Sequence, residues 1–228
     1  IQLTHLTGSE DNIVQYPSWS PNGNVVSVLV STLKDHPRSI ERRLSLCSIA
    51  SLAPSCRTLD QEAERYPPLW WDGRCWIALP DQLVGIPLPG TSAEARYIPL
   101  PQGERLLLTG DSYGQLILVM HSYRVFVYNG VSLQELQWGT FDNLSFSNSR
   151  CYLLMNNCLY EIDQRNQPRL LIEFSQKYCI TSQAWCPRTH SHYVVNRSTE
   201  LFRLRGNEGG PELIWRANSQ PCDATSQE

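Results

Sequence analysis

The stretch Tyr16-Pro17-Ser18-Trp19-Ser20-Pro21-Asn22-Gly23-Asn24, followed by Val25-Val26-Ser27-Val28-Leu29-Val30, decides the fold of this chain. It reads as a strand ending at Trp19, a tight turn over Ser20–Gly23, and a second strand. Pro21 presets φ for a turn, and Asn22-Gly23 accepts the positive φ that hairpin turns need. The apolar run that follows is β-branched and bounded, as a buried strand should be.

The pattern restarts downstream. Tyr66-Pro67-Pro68-Leu69-Trp70-Trp71-Asp72-Gly73-Arg74 repeats the order Tyr-Pro, Trp, Asx-Gly turn, with the apolar strand Cys75–Leu79 behind it. Weaker copies follow. Arg105–Thr109 and Gln115–Met120 flank a turn at Gly110–Gly114. Leu144–Ser147, Cys151–Met155, Cys158–Ile162 and Arg169–Phe174 form a fourth unit, with Asn156-Asn157 as a two-residue hairpin turn. Ile180–Trp185, His192–Asn196, Glu200–Arg205 and Glu212–Arg216 form a fifth. Turn anchors near positions 23, 73, 114, 149 and 189 match the ~40-residue period of propeller blades. The expected fold is therefore an all-β propeller over residues 1–217, with about five four-stranded blades visible, alone or as part of a larger ring. Residues 218–228 form a polar tail. Ser31–Glu41 is expected to be a loop. Ile1–Thr7 alternates apolar and polar, and reads either as a ring-closing strand or as the outer strand of an upstream blade.

Pro17-Ser18-Trp19-Ser20-Pro21-Asn22-Gly23-Asn24, preceded by Leu6-Thr7, resembles the TolB-like (WD-repeat-like) β-propeller repeat, which carries P-x-W-S-P-D-G at the turn after the innermost strand. Asn22 stands in place of the Asp. The second unit keeps Trp71-Asp72-Gly73-Arg74 but loses Ser-Pro, and the fifth keeps only Trp185-Cys186-Pro187. The resemblance implies a propeller whose repeat Trp and Pro pack between blades. It implies a periplasmic or secreted binding module, or the cap of a hydrolase. It transfers no active-site residue, because the repeat motif is structural.

Composition narrows the function. Hydrophobic content is 41% and charged content 18%, with net charge −3. That balance offers no basic excess for phosphate contacts, so nucleic acid is not an expected partner. No apolar run reaches the ~18 residues of a membrane span. The chain starts at Ile1, without a recognisable leader and without excluding one. Of 19 basic residues only Lys34 and Lys177 are lysine. An arginine bias suits planar, bidentate recognition, although coding bias explains it as well.

Candidate chemistry is sparse. Eight Cys are present, with no Cys-x-x-Cys that would suggest zinc. Cys47 and Cys56 flank Ala50–Pro54 and face each other if a hairpin closes there, which makes them the candidate disulfide; small buried residues are the alternative. Cys151 and Cys158 do not pair, because an Asn156-Asn157 turn sets Met155 opposite Cys158 and leaves Cys151 ~13 Å away. Cys179 and Cys186 lie along one strand and fail for the same reason. His190 and His192 share a face if they lie on a strand, but with no third ligand nearby a solvated loop is the plainer reading. The expected inner strands carry no central acid, unlike glycosidases with paired carboxylates, and there is no Gly-x-Ser-x-Gly. Trp70 and Trp71 point to opposite faces of a strand. One of them is expected to be exposed near the ring end, as a stacking platform for a peptide or sugar, and both are candidate binding residues.

The expectation is an extracytoplasmic, non-enzymatic module without cofactor or metal, binding a protein or peptide on one ring face. The alternatives are a carbohydrate-binding propeller, or the accessory propeller of a hydrolase whose catalytic domain lies outside this chain.

Overall fold

A computed structural model describes residues 12–34, 39–49, 55–186, 188–204 and 211–216. The expected strand Ile1–Thr7, the Leu6-Thr7 part of the repeat, the polar tail and Cys222 lie outside these residues.

Among the described residues twenty strands run in chain order: β1 Asn12–Trp19, β2 Val25–Lys34, β3 Ser39–Ser48, β4 Ser55–Glu62, β5 Leu69–Trp71, β6 Arg74–Ala78, β7 Gln82–Pro87, β8 Arg96–Pro99, β9 Leu106–Ser112, β10 Gln115–Met120, β11 Val125–Tyr128, β12 Leu133–Leu136, β13 Asn143–Ser147, β14 Arg150–Met155, β15 Cys158–Ile162, β16 Pro168–Glu173, β17 Ile180–Cys186, β18 Ser191–Asn196, β19 Glu200–Leu204 and β20 Glu212–Arg216. They form five four-stranded antiparallel meanders, each pairing only consecutive strands. These are the five units read from the sequence. The chain divides into two compact units: residues 1–110 with 114–136, and residues 111–113 with 137–228.

Within the first unit the founding turn is built as its residues dictate. Gly23 takes φ 71°, and the Ser20 hydroxyl donates to Asn22 Oδ1 at 2.7 Å while accepting from the Val25 amide at 2.9 Å. Asp72 and Gly73 take φ 49° and 67° and pair Trp71 with Arg74 across a two-residue hairpin. The strand before the founding turn is not regular. Its register shifts between Gln15 and Ser18, with Tyr16 at φ 53°, because Pro17 has no N–H for the ladder. Trp19 follows this bulge and stands 54% exposed, not packed between blades as the resemblance implies. The expected Ser31–Glu41 loop is also corrected. β2 continues to Lys34 and β3 begins at Ser39, with these two residues paired, since Thr32, Leu33 and Ile40 continue the ladder.

The apolar faces of β6 and β7 are covered on both sides. Val25, Leu29, Leu44 and Leu46 pack against Cys75, Ile77 and Val84. Trp71, Trp76, Leu83 and Ile98 pack against Leu116, Leu118 and Phe126. Each fully buried aliphatic side chain stabilises by about 1.5–3 kcal/mol. Trp76 lies across its ladder partner Gly85, its indole N–H donating to the Trp71 carbonyl at 3.0 Å. In the second unit the β13–β16 and β17–β20 sheets share a core of Tyr152, Leu154, Leu159, Ile180, Val194 and Phe202. Gln183 Nε2 joins the two sheets, donating to Ser145 Oγ at 2.6 Å and the Tyr152 carbonyl at 3.0 Å.

Candidate functional site

Neither tryptophan singled out in the sequence forms an exposed platform. Trp71 is buried, with its ring 5.6 Å from Trp76 and 5.9 Å from Tyr128. Trp70 is half-buried, and its indole N–H is taken by the Ser18 carbonyl at 3.2 Å and Ser27 Oγ at 3.1 Å. Opposite faces of β5 are thus both packed, one against the β1–β4 sheet and one in the core shared with β9–β12. Cys47 and Cys56 are ladder partners and joined by a disulfide. Cys75, Cys151, Cys158, Cys179 and Cys186 are free thiols. Burial pushes the Cys75 thiol up to about 12, against a small lowering by Ser27. Among the described residues no three His, Cys, Asp or Glu side chains group as a metal site, and no helix is long and apolar enough to cross a membrane.

A candidate site lies inside the second unit, in a cleft of about 560 Å³ between the β13–β16 and β17–β20 sheets. Two cross-strand rows build it. Ladder pairing aligns Tyr152 of β14, Glu161 of β15 and Arg169 of β16, with Arg150 two positions before Tyr152 and so on the same face. Pairing in the neighbouring sheet aligns Trp185 of β17, His192 of β18 and Leu204 of β19. The rows meet where the His192 ring lies 4.6 Å from both Tyr152 and Trp185. His190 takes φ 48° in the β17–β18 turn and brings its ring to 6.3 Å from Trp185.

Glu161 is the electrostatic centre of this cleft. Its carboxylate is only 4% exposed, and it holds ion pairs with Arg150 and Arg169, whose side chains are 49% and 64% exposed. Tyr113 Oη donates to it at 3.2 Å. Burial alone would raise the Glu161 pKa; the guanidiniums of Arg169 and Arg150 reverse that and hold it below the ordinary value. Glu161 is therefore an ionised anchor, engaged by three donors, and a poor proton acceptor. His192 is its opposite in character. Burial pushes its pKa down to about 4, with a partial upward pull from Glu161, so the ring is neutral near pH 7. Its buried Nδ1 has no hydrogen-bond partner.

Both histidines line this cleft. His192 is thus a buried strand residue instead of part of a solvated loop, because strand β18 starts at Ser191 and carries it under Trp185. Sequence reading missed Glu161, Arg150 and Arg169. The available signal was an acid at a core-facing position of Cys158-Leu-Tyr-Glu-Ile162, two residues from buried Leu159, which demands a cationic partner. A second cavity of about 650 Å³ lies at the far end of β14, around Asn156 and Asn157. Asn157 is occupied with its own loop there: Nδ2 donates to the Phe174 and Ser175 carbonyls, and Oδ1 accepts from the Ile180 amide.

No family model matches the chain, and no curated protein matches its sequence. Solved structures match its shape. Virginiamycin B lyase from Staphylococcus aureus aligns at TM-score 0.58 and 12% identity, over 91% of this chain and 71% of the lyase. A chain of the mitotic checkpoint complex aligns at 0.56 and 14%, over 89% and 64%. The β-propeller domain of Cps50 (Swd1) from Myceliophteria thermophila aligns at 0.53 and 13%, over 89% and 72%. This likeness defines the fold: the protein is a β-propeller of about five four-stranded blades.

Proposed function

We propose that this chain is a TolB-like, non-enzymatic interaction module that binds a segment of a protein or peptide, and that the cleft between the fourth and fifth blades is where it binds. The observation that carries this reading is the cleft itself: two solvent-reaching guanidiniums fixed by a buried carboxylate, beside an aromatic wall of Trp185, His190 and His192. Arginine and aromatic side chains are the residues enriched at binding hot spots, and the volume falls in the range of ligand sites, about 300–1,000 Å³. The TolB-like assignment is supported by Pro17-Ser18-Trp19-Ser20-Pro21-Asn22-Gly23. An extracytoplasmic location is supported by the Cys47–Cys56 disulfide, since such bonds persist in oxidising compartments. One structural neighbour is a chain of a multiprotein complex, which favours a protein partner.

The test is selection of random peptides on immobilised protein, followed by affinity measurement with Trp185→Ala. Binding that survives this substitution refutes the cleft as the site. A second reading follows from the neighbour that is a lyase: turnover of a substrate, abolished by Glu161→Gln with peptide binding absent, would replace the binding reading by an enzymatic one.

A further inference from the structure

We infer, on the reading of the cleft given above, that it receives a peptide C-terminus: a free carboxylate held by Arg150 and Arg169, with the apolar side chain of the last residue against Leu171, Ile172 and Trp185. Charge selects the ligand's sign. Glu161 neutralises one of the two guanidiniums, leaving one net positive charge at the cleft. That balances a carboxylate, whereas a doubly charged phosphate would be half compensated.

Donor capacity selects the head group. Each guanidinium carries five N–H donors in a planar fork. Arg150 gives Nη1 and Arg169 gives Nη2 to Glu161, and each retains further donors on a side chain about half or more exposed. Anchoring by Glu161 fixes the position of both guanidiniums before a ligand arrives, which reduces the ordering cost of binding.

The apolar wall selects the rest. Leu171 and Ile172 follow Arg169 on β16, and Trp185 lies across the cleft. A C-terminal residue carries its carboxylate and its side chain on one carbon, so a single residue meets both halves of the site. An internal Asp or Glu needs a separate apolar neighbour to do the same.

The test uses peptides selected on the whole protein, each made as the free acid, as the C-terminal amide, and with an internal Glu in place of the terminal acid. Selected free acids are expected to end in an apolar residue. Amidation is expected to weaken them at least tenfold, equal to about 1.4 kcal/mol. Arg169→Gln should weaken the free acid comparably and leave the amide's residual affinity unchanged; Arg150→Gln provides the same readout should Arg169→Gln fail to fold. Raising salt should weaken the acid and not the amide. Equal affinity of acid and amide, with binding lost in Trp185→Ala, overturns the carboxylate inference and leaves the cleft reading standing. Preference for the internal Glu peptide overturns the C-terminal assignment and keeps carboxylate recognition. Absence of peptide binding, or binding untouched by Trp185→Ala, refutes the cleft reading and this inference with it.

Discussion

Replacing Gly85 by alanine sets two opposite effects against each other, and the structure says which wins. Glycine within a strand costs conformational entropy, so alanine at an open position would stabilise by about 0.4–1 kcal/mol. The position is not open. A Cβ at Gly85 would lie 2.7 Å from Trp76 Cε2 and Cζ2 and 2.8 Å from Cη2, where carbon atoms settle at about 3.5–4.0 Å. The indole would have to retreat by about 1 Å. It is 1% exposed, its N–H is held by the Trp71 carbonyl, and Trp71 and Tyr128 flank it at 5.6 and 6.3 Å. Overpacking of this kind costs about 1–3 kcal/mol, and weakening the indole hydrogen bond adds about 1 kcal/mol. Net destabilisation of about 1–3 kcal/mol is expected, a melting-temperature loss of about 2–4 °C per kcal/mol in a chain of this size. Urea unfolding followed by near-UV circular dichroism measures it. On a Trp76→Leu background the same Gly85→Ala change should cost less than about 0.5 kcal/mol, the difference being the pairwise coupling. A Gly85→Ala protein that unfolds at or above the parental midpoint refutes the account of Trp76 as an immovable ring.

Three further outcomes are expected. Cys47→Ser should cost about 2.5–3 kcal/mol in the chain-entropy account of a short closed loop, the two cysteines being nine residues apart, and a reductant should lower the midpoint of the parent protein but not of this variant. Protonation of His192 is favoured in the unfolded chain, at its ordinary 6.5, over the folded one, at about 4, so stability should fall as pH drops from 6.5 towards 4, by about 2–3 kcal/mol in all; His192→Phe should flatten that window, leaving below it the loss that comes as Glu161 protonates. Trp70→Phe removes an indole donor shared by the Ser18 carbonyl and the buried Ser27, and should cost about 1–2 kcal/mol in urea unfolding while leaving any peptide binding in the cleft unchanged.

The blades are legible because their turns are written in residue types that accept positive φ. Asp72-Gly73 and Asn156-Asn157 all take positive φ, and those turns alone set the registers Trp71 to Arg74 and Met155 to Cys158. The Cys47–Cys56 juxtaposition followed from the same kind of local reasoning. The bulge at Tyr16-Pro17 has its cause in Pro17, which has no N–H for the ladder. The cleft was less legible because it is assembled from two sheets. Glu161 and Arg169 are ladder partners, yet the meeting of Tyr152 with His192 depends on how β14 packs against β18, which no spacing within either strand encodes. Trp70 and Trp71 were assigned to function for a sound local reason, opposite faces of one strand; tertiary packing covers both faces of β5 and removes the need for either ring to be exposed.

Among the described residues, every sheet joins only strands that follow one another along the chain. Each blade can therefore assemble from the segment just synthesised, without waiting for a partner from a distant part of the sequence. Closing such short loops takes little entropy, and pairing between sequence neighbours is the condition for rapid folding. On the ribosome the order of appearance would be the order of the blades. The cleft between the β13–β16 and β17–β20 sheets takes form only once the later of the two has been made, so a product truncated before β17 could fold four of its sheets and still lack the cleft.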